Sequence, residues 1–127
     1  MFENTHAFSG FSVDDIAAAK KFYGETLGLD VQENAMGALD LHLVGGGEIF
    51  IYPKADHAPA SYTILNFVVD DIDVAVDALV AKGVVLERYE GSYQDEKGIA
   101  RGKAANQGPD IAWFTDPAGN ILSALSN

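Results

Sequence analysis

The sequence predicts an α+β fold built from two βαβββ modules in tandem, and three observations predict it. First, "FSVDDIAAAKKFYGETLG" (11–28) repeats as "FVVDDIDVAVDALVAKG" (67–83), with Phe11/Phe67, Val13/Val69, Asp14/Asp70, Asp15/Asp71, Ile16/Ile72 and Ala19/Ala75 all at one offset of 56. Second, the apolar spacing in each copy switches from strand-like to helix-like at the aspartate pair. Third, three further strand-like runs follow each helix pattern. Two copies make a fused pair rather than a solenoid, so each must bury its apolar face against the other or against a second chain. At 127 residues the chain suits one domain, roughly two-thirds of whose unfolded surface can be buried.

The first module is expected over 5–53, a linker over 54–60 and the second module over 61–126. Each opens with a strand, "HAFSGFSV" or "TILNFVV", and ends it on two aspartates able to accept hydrogen bonds from the amides of a helix start. The first helix carries the stripe Ile16, Ala19, Phe22, Tyr23 and Leu27; the second carries Ile72, Ala75, Val76, Leu79 and Val80. Gly28 and Gly83 are expected to stop them. Strands follow at "LDVQEN", "ALDLHLV" and "EIFIYP" in the first module and at "VVLERYE", "DIAWFT" and "NILSAL" in the second. Gly45–Gly47 and "DPAGN" supply tight turns. "PKADHAPAS", with two prolines, is the linker segment, and its His57 reads as a solvated loop residue. The polar, glycine-rich stretch 91–108 is long for a compact domain and reads as a mobile lid or as disorder.

Alternation along each strand assigns its faces. Ala7, Ser9, Phe11 and Val13 are expected under the first helix, and Leu65, Phe67 and Val69 under the second. The opposite, helix-free face collects Phe8, His42, Phe50, Tyr52, Asn66, Trp113 and Ser123, aromatic surface with a few polar groups, the makeup of a small-molecule site. Packing against the other half or against a dimer mate accounts for the same residues equally well.

Composition narrows the functions. Nineteen carboxylates against eight basic residues leave a formal charge of −11, which disfavours nucleic acid and anionic membranes as partners. The absence of cysteine removes disulfides, thiolate zinc sites and thiol nucleophiles. "MFENTHAFSG" lacks the features of a signal peptide and no apolar run reaches the roughly 18 residues of a membrane span, so a soluble, cytoplasmic protein is expected. "GGGE" lacks the lysine and helix of a phosphate-binding loop, and Ser123 has no nucleophile-elbow context, so no catalytic residue is assigned.

"VDDI" before each helix, "KKFYGETLGLDV" after the first and "FTDPAGN" before the last strand, set in paired βαβββ units, resemble the vicinal oxygen chelate superfamily, the glyoxalase, bleomycin-resistance protein and extradiol dioxygenase group. The resemblance spans nearly all of 1–127. It implies a single domain with a curved mixed sheet, helices on its convex face, and a cavity between concave faces that dimerisation often completes; a homodimer is therefore expected. It also implies, for metal-using members, a histidine on the first strand and a carboxylate on the last strand of each module. Those positions fall on Phe8 and Ile64 and on Ser123, with the first-module carboxylate near Phe50 or Tyr52, none of which suits a divalent ion. A displaced set of His6, His42 and Glu48 is the alternative metal site. Three functions follow: metal-independent binding of a small cationic or aromatic molecule, with no cofactor; a glyoxalase-like lyase, isomerase or dioxygenase using a divalent ion on displaced ligands; and an interaction module with a collapsed cavity. Binding is the favoured one, and catalysis the less favoured.

Overall fold

The computed structural model describes residues 1–127, which divide into two compact units, 1–58 and 59–127. The first unit runs β1 (Ser9–Val13), α1 (Ile16–Lys21), a π-helical turn (Phe22–Thr26), β2 (Asp30–Glu33), β3 (Leu39–His42) and β4 (Glu48–Pro53). The second runs β5 (Thr63–Val68), α2 (Ile72–Ala81), β6 (Ala100–Arg101), β7 (Asp110–Thr115) and β8 (Ile121–Ser126). Each holds a four-stranded sheet, ordered β1-β4-β3-β2 and β5-β8-β7-β6, in which the first and last strands pair in parallel and the others antiparallel. These are the two predicted βαβββ modules.

The aspartate pairs start the helices through their second member. Asp15 accepts from the Ala18 amide at 3.0 Å, and Asp71 accepts from Asp73 and Val74 at 3.0 and 3.2 Å, satisfying donors that a helix start leaves without partners. Gly28 and Gly83 end the helical segments at φ of +72° and +87°, where a side chain would be strained. The first helix widens into the π-helical turn, whose register swings Tyr23 wholly into the interior, 5.9 Å from the Phe11 ring. Buried Val13, Leu39, Leu41 and Ile51 line the same helix-covered side of the first sheet. Ala7 and Ser9, expected there too, are exposed, because β1 begins only at Ser9 and the helix covers its C-terminal end.

In the second unit Ile72 and Val76 of α2 pack with Ala112, Ala124 and Ile99, while Val80, expected in the stripe, is 55% exposed. Ile99 explains two corrections. "VVLERYE" makes no strand and contributes only a bridge from Glu87 to Trp113; the edge strand is instead β6, inside the stretch read as lid or disorder. That stretch is tied down twice. Ile99 is fully buried, and its flanks are bonded: Asp95 accepts from the Lys97 and Ile99 amides and from Arg101, while Arg101 also grips Asp73 of α2 at 2.8 and 2.9 Å. Lys97 adds contacts to Asp73 and Asp77 at 2.9 and 3.1 Å. The hydrogen bonds from Arg101, then those from Lys97, hold the Asp73 carboxyl well below the usual carboxylate range. No helix is long and apolar enough to cross a membrane.

Two outcomes follow for this strap. Ile99→Ala should cost about 2–5 kcal/mol in denaturant unfolding, the range for emptying a core aliphatic site. The lowered pKa of Asp73 means that its contribution is complete above the unfolded aspartate value of about 3.9 and is lost as the pH falls below it. Urea midpoints should therefore drop more steeply between about pH 4 and pH 2 in the natural protein than in Asp73→Asn.

Candidate functional site

A parallel β-α-β connection places its helix on one side of the sheet, so the other side is left for side chains of strand residues that no helix covers. In the first unit that side is aromatic. Phe50 and Tyr52 stand two apart on β4 with their rings stacked at 5.8 Å and 20°, and Phe8, just ahead of β1, meets Phe50 edge-on at 6.2 Å. Phe8 is 71% exposed and Tyr52 37% exposed, an unusual presentation for large rings in a small domain. Gly10 pairs with Phe50, and a β-carbon on it would come within 3.0 Å of the Phe50 carbonyl, so the missing side chain keeps a notch beside that ring.

Beyond Phe50 the same face becomes charged. His42 pairs with Glu48 on one side and with Asp30 on the other, and its Nδ1 lies 3.2 Å from the Glu48 carboxylate. His6 does not join them: no three histidine or acidic side chains in the molecule converge, so the displaced set His6, His42 and Glu48 is not assembled. At the other end of the strip His57 is half-buried and its Nδ1 lies 2.6 Å from the Ser12 hydroxyl, which corrects its reading as a solvated loop residue. The turn that delivers it is closed by the His57 amide on the Lys54 carbonyl and by the Lys54 amide on the Val13 carbonyl.

In the second unit, Asn66 of β5, Ser123 of β8 and Trp113 of β7 are successive cross-strand neighbours, and Glu87 bridges to Trp113 beyond them. Ser123 is fully buried and donates to the Asn66 Oδ1 at 2.5 Å; Asn66 itself is exposed. Ser123 therefore reaches a visitor only through Asn66, whose amide it orients. The Tyr89 ring stands edge-on to Trp113 at 5.5 Å, and burial, then the Glu87 charge, push its phenol above the ordinary tyrosine value. Tyr89, Gly10, Ser12 and His57 are additions to the residues expected from sequence. Tyr89 was within reach of strand alternation two residues after Glu87, whereas the Ser12 to His57 contact spans 45 residues and has no local signature.

Sheet register also shows which residues occupy the positions that the resemblance assigned to metal ligands. Asn66 pairs with Ser123 as Gly10 pairs with Phe50, and Gly10 and Asn66 are related by the repeat offset, so Phe50 is the first-unit counterpart of Ser123. The positions that resemblance assigned to metal ligands thus hold two phenyl rings in the first unit, and a sec-butyl group and a buried, hydrogen-bonded hydroxyl in the second. Such a set does not fit a hard divalent ion, which needs several charged or strongly basic donors.

Two βαβββ units, each a four-stranded mixed sheet with a helix in its crossover connection, define the α+β class of this protein. The chain belongs to the Glyoxalase/Bleomycin resistance protein/Dioxygenase superfamily, whose family model matches residues 6–123. No protein with a curated description matches it in sequence. Among solved structures it is similar to an integron cassette protein from the mobile metagenome of a Halifax Harbour sewage outfall, at 21% identity and a TM-score of 0.68 over 97% of this chain and 99% of that one. TnmS3, an antibiotic binding protein from Streptomyces, is 24% identical with a TM-score of 0.66 over 97% of each chain. The glyoxalase family protein from Enterococcus faecalis is 22% identical with a TM-score of 0.62 over 98% and 99%. At these identities the likeness is one of fold.

Ser123→Ala removes a hydrogen bond whose acceptor stays open to water. It should lower unfolding free energy by only about 0.5–1.5 kcal/mol, measured by urea titration, with the fold retained.

Proposed function

We propose that this protein binds a small, planar, cationic or aromatic organic molecule on its helix-free sheet faces, by ring stacking and neutral hydrogen bonds and without a divalent metal. The observation that carries this reading is the exchange of ligand-type residues for rings: Phe8 and Phe50 stand where metal-using relatives carry donors, and they form a half-exposed strip with Tyr52. Exposed rings of this kind offer flat apolar area with a negative π face, which attracts planar cations. Acidic side chains reinforce the preference. Asp30 and Glu48 flank His42 on the first face, Glu87 lies beside Trp113 on the second, and the chain as a whole carries −11. In the second unit Trp113 supplies the largest ring, and Asn66, on the far side of Ser123 from it, is a hydrogen-bonding group held by Ser123. That TnmS3, described as an antibiotic binding protein, shares the fold supports a binding role on this scaffold.

Calorimetric titration of 1-methyl-4-styrylpyridinium, a planar aromatic cation, tests the reading. Binding should be the same with and without EDTA, and Trp113→Ala should weaken it about tenfold or more. Loss of binding on chelation, or no binding by the natural protein, would overturn it. Since Trp113 is the single tryptophan, quenching of its emission in the natural protein gives an independent reading of the same site.

A further inference from the structure

Glu87 and Tyr89 reach the second sheet without lying on a strand of it. The Glu87 amide donates to the Trp113 carbonyl at 2.8 Å, which sets Glu87 beside Trp113 as its bridge partner. On the other side the Gln94 side chain stands in for a neighbouring peptide group. Its Nε2 donates to the Glu87 and Gly98 carbonyls at 2.8 and 2.7 Å, and its Oε1 accepts from the Tyr89 amide at 2.8 Å and from the Ser92 hydroxyl at 2.7 Å. Both donors and both acceptor positions of that amide are used, so the backbone from Glu87 to Tyr89 is held in a strand-like setting.

Three groups meet there. The Tyr89 and Trp113 rings are 5.5 Å apart between centroids and cross at 78°, a nearly right-angled corner of two aromatic rings. Both are partly open to solvent, Tyr89 by 38%. Glu87 is half-buried next to them, with its Oε1 3.5 Å from the Thr115 hydroxyl, and its charge reaches the Tyr89 phenol, whose pKa is raised first by burial and then by Glu87. Ring faces attract a cation through their quadrupole but give its N–H groups no oxygen or nitrogen to bond. A primary ammonium would lose hydration against them, whereas a quaternary ammonium has no N–H to satisfy and can lay its alkyl groups on both rings while the carboxylate supplies the opposite charge.

We infer that Trp113, Tyr89 and Glu87 form a subsite for a quaternary ammonium group, so that the cation bound by this protein carries its charge on a fully alkylated nitrogen seated against the second unit. This rests on the binding function proposed above and specifies its ligand class. The methylated nitrogen of 1-methyl-4-styrylpyridinium meets the same requirement.

Two cations of equal charge test the subsite by calorimetric titration at fixed ionic strength: (2-phenylethyl)trimethylammonium and 2-phenylethylammonium. The general attraction of an acidic protein is common to both. The natural protein should bind the trimethylated compound about tenfold more tightly, within the range that contact of a desolvated cation with aromatic faces provides. Tyr89→Phe, which keeps the ring, should retain that preference; Tyr89→Leu, which keeps apolar bulk without a ring face, should bring the two affinities within about twofold. Glu87→Gln should weaken the trimethylated compound about two- to fivefold, and this arm keeps the proposal refutable should Tyr89→Leu fail to fold. Equal binding of the two compounds by the natural protein, a preference that survives Tyr89→Leu, or an affinity unmoved by Glu87→Gln overturns the subsite and, with 1-methyl-4-styrylpyridinium still bound, leaves the binding function standing. Failure of the natural protein to bind any of the three cations overturns both.

Discussion

The constraint on which the rest of the molecule depends is the parallel pairing of first and last strands within each unit. Parallel neighbours cannot be joined by a tight turn, so the chain must cross over, and here the crossover begins with a capped helix that covers one sheet side. The same pairing fixes register: Gly10 beside Phe50, Ser12 beside Tyr52, Asn66 beside Ser123. A slip of one residue would turn the rings under the helices and the covered aliphatic residues outward, so the face that carries Phe50 and Trp113 is specified by the burial of Leu39, Ile51, Phe114 and Leu122 on the other side. The chemistry of the open face is thus positioned by the core, which no ligand need touch.

Much of this was legible in the sequence because it is local or repeated. The aspartate pairs, the terminating glycines and the alternation in "EIFIYP" and "DIAWFT" each act within a few residues, and β4 and β7 fall on the expected spans. The failures are long-range. "VVLERYE" has strand-like residues, but on its other edge from β8 the start of β7, at Asp110 and Ile111, pairs with β6, and Glu87 makes only one bridge, to Trp113. The segment after it looked too polar and glycine-rich to be ordered. Its order comes from Arg101 and Lys97 meeting Asp73 across 28 and 24 residues, from one buried isoleucine, and from left-handed conformations at Gly91, Tyr93 and Gly98 that hydrophobic periodicity does not register.

The site shows the same division. The aromatic strip follows from alternation alone, since Phe50 and Tyr52 share a strand parity. What alternation cannot supply is depth and pairing. Ser123 has the right face, yet its hydroxyl is enclosed and already committed to Asn66; His57 lies in a loop and yet belongs to the strip. Both features arise from contacts between residues 57 and 45 apart in the chain. Solvent exposure was the expected state for the histidine, which is instead half-buried against Ser12, and the serine hydroxyl is held on Asn66.

Those two bonds have a common chemical consequence. With its Oδ1 receiving the Ser123 hydrogen, exposed Asn66 keeps its amide N–H groups as neutral donors, two strands from Trp113. In the first face Ser12 is bonded to His57 and is the cross-strand neighbour of Tyr52. Each unit therefore combines a large aromatic surface with a polar pair, and in the second unit the partner that holds the exposed group, Ser123, is fully buried. A carboxylate in either place would bind cations strongly, metal ions included, and would discriminate poorly among organic shapes. A pre-oriented amide or hydroxyl adds little affinity but penalises any planar molecule that covers it without supplying a matching atom, because a desolvated polar group without a partner costs more than its bond contributes. At the position where the resemblance places a carboxylate, Ser123 thus supplies a neutral hydroxyl whose one described role is to orient Asn66.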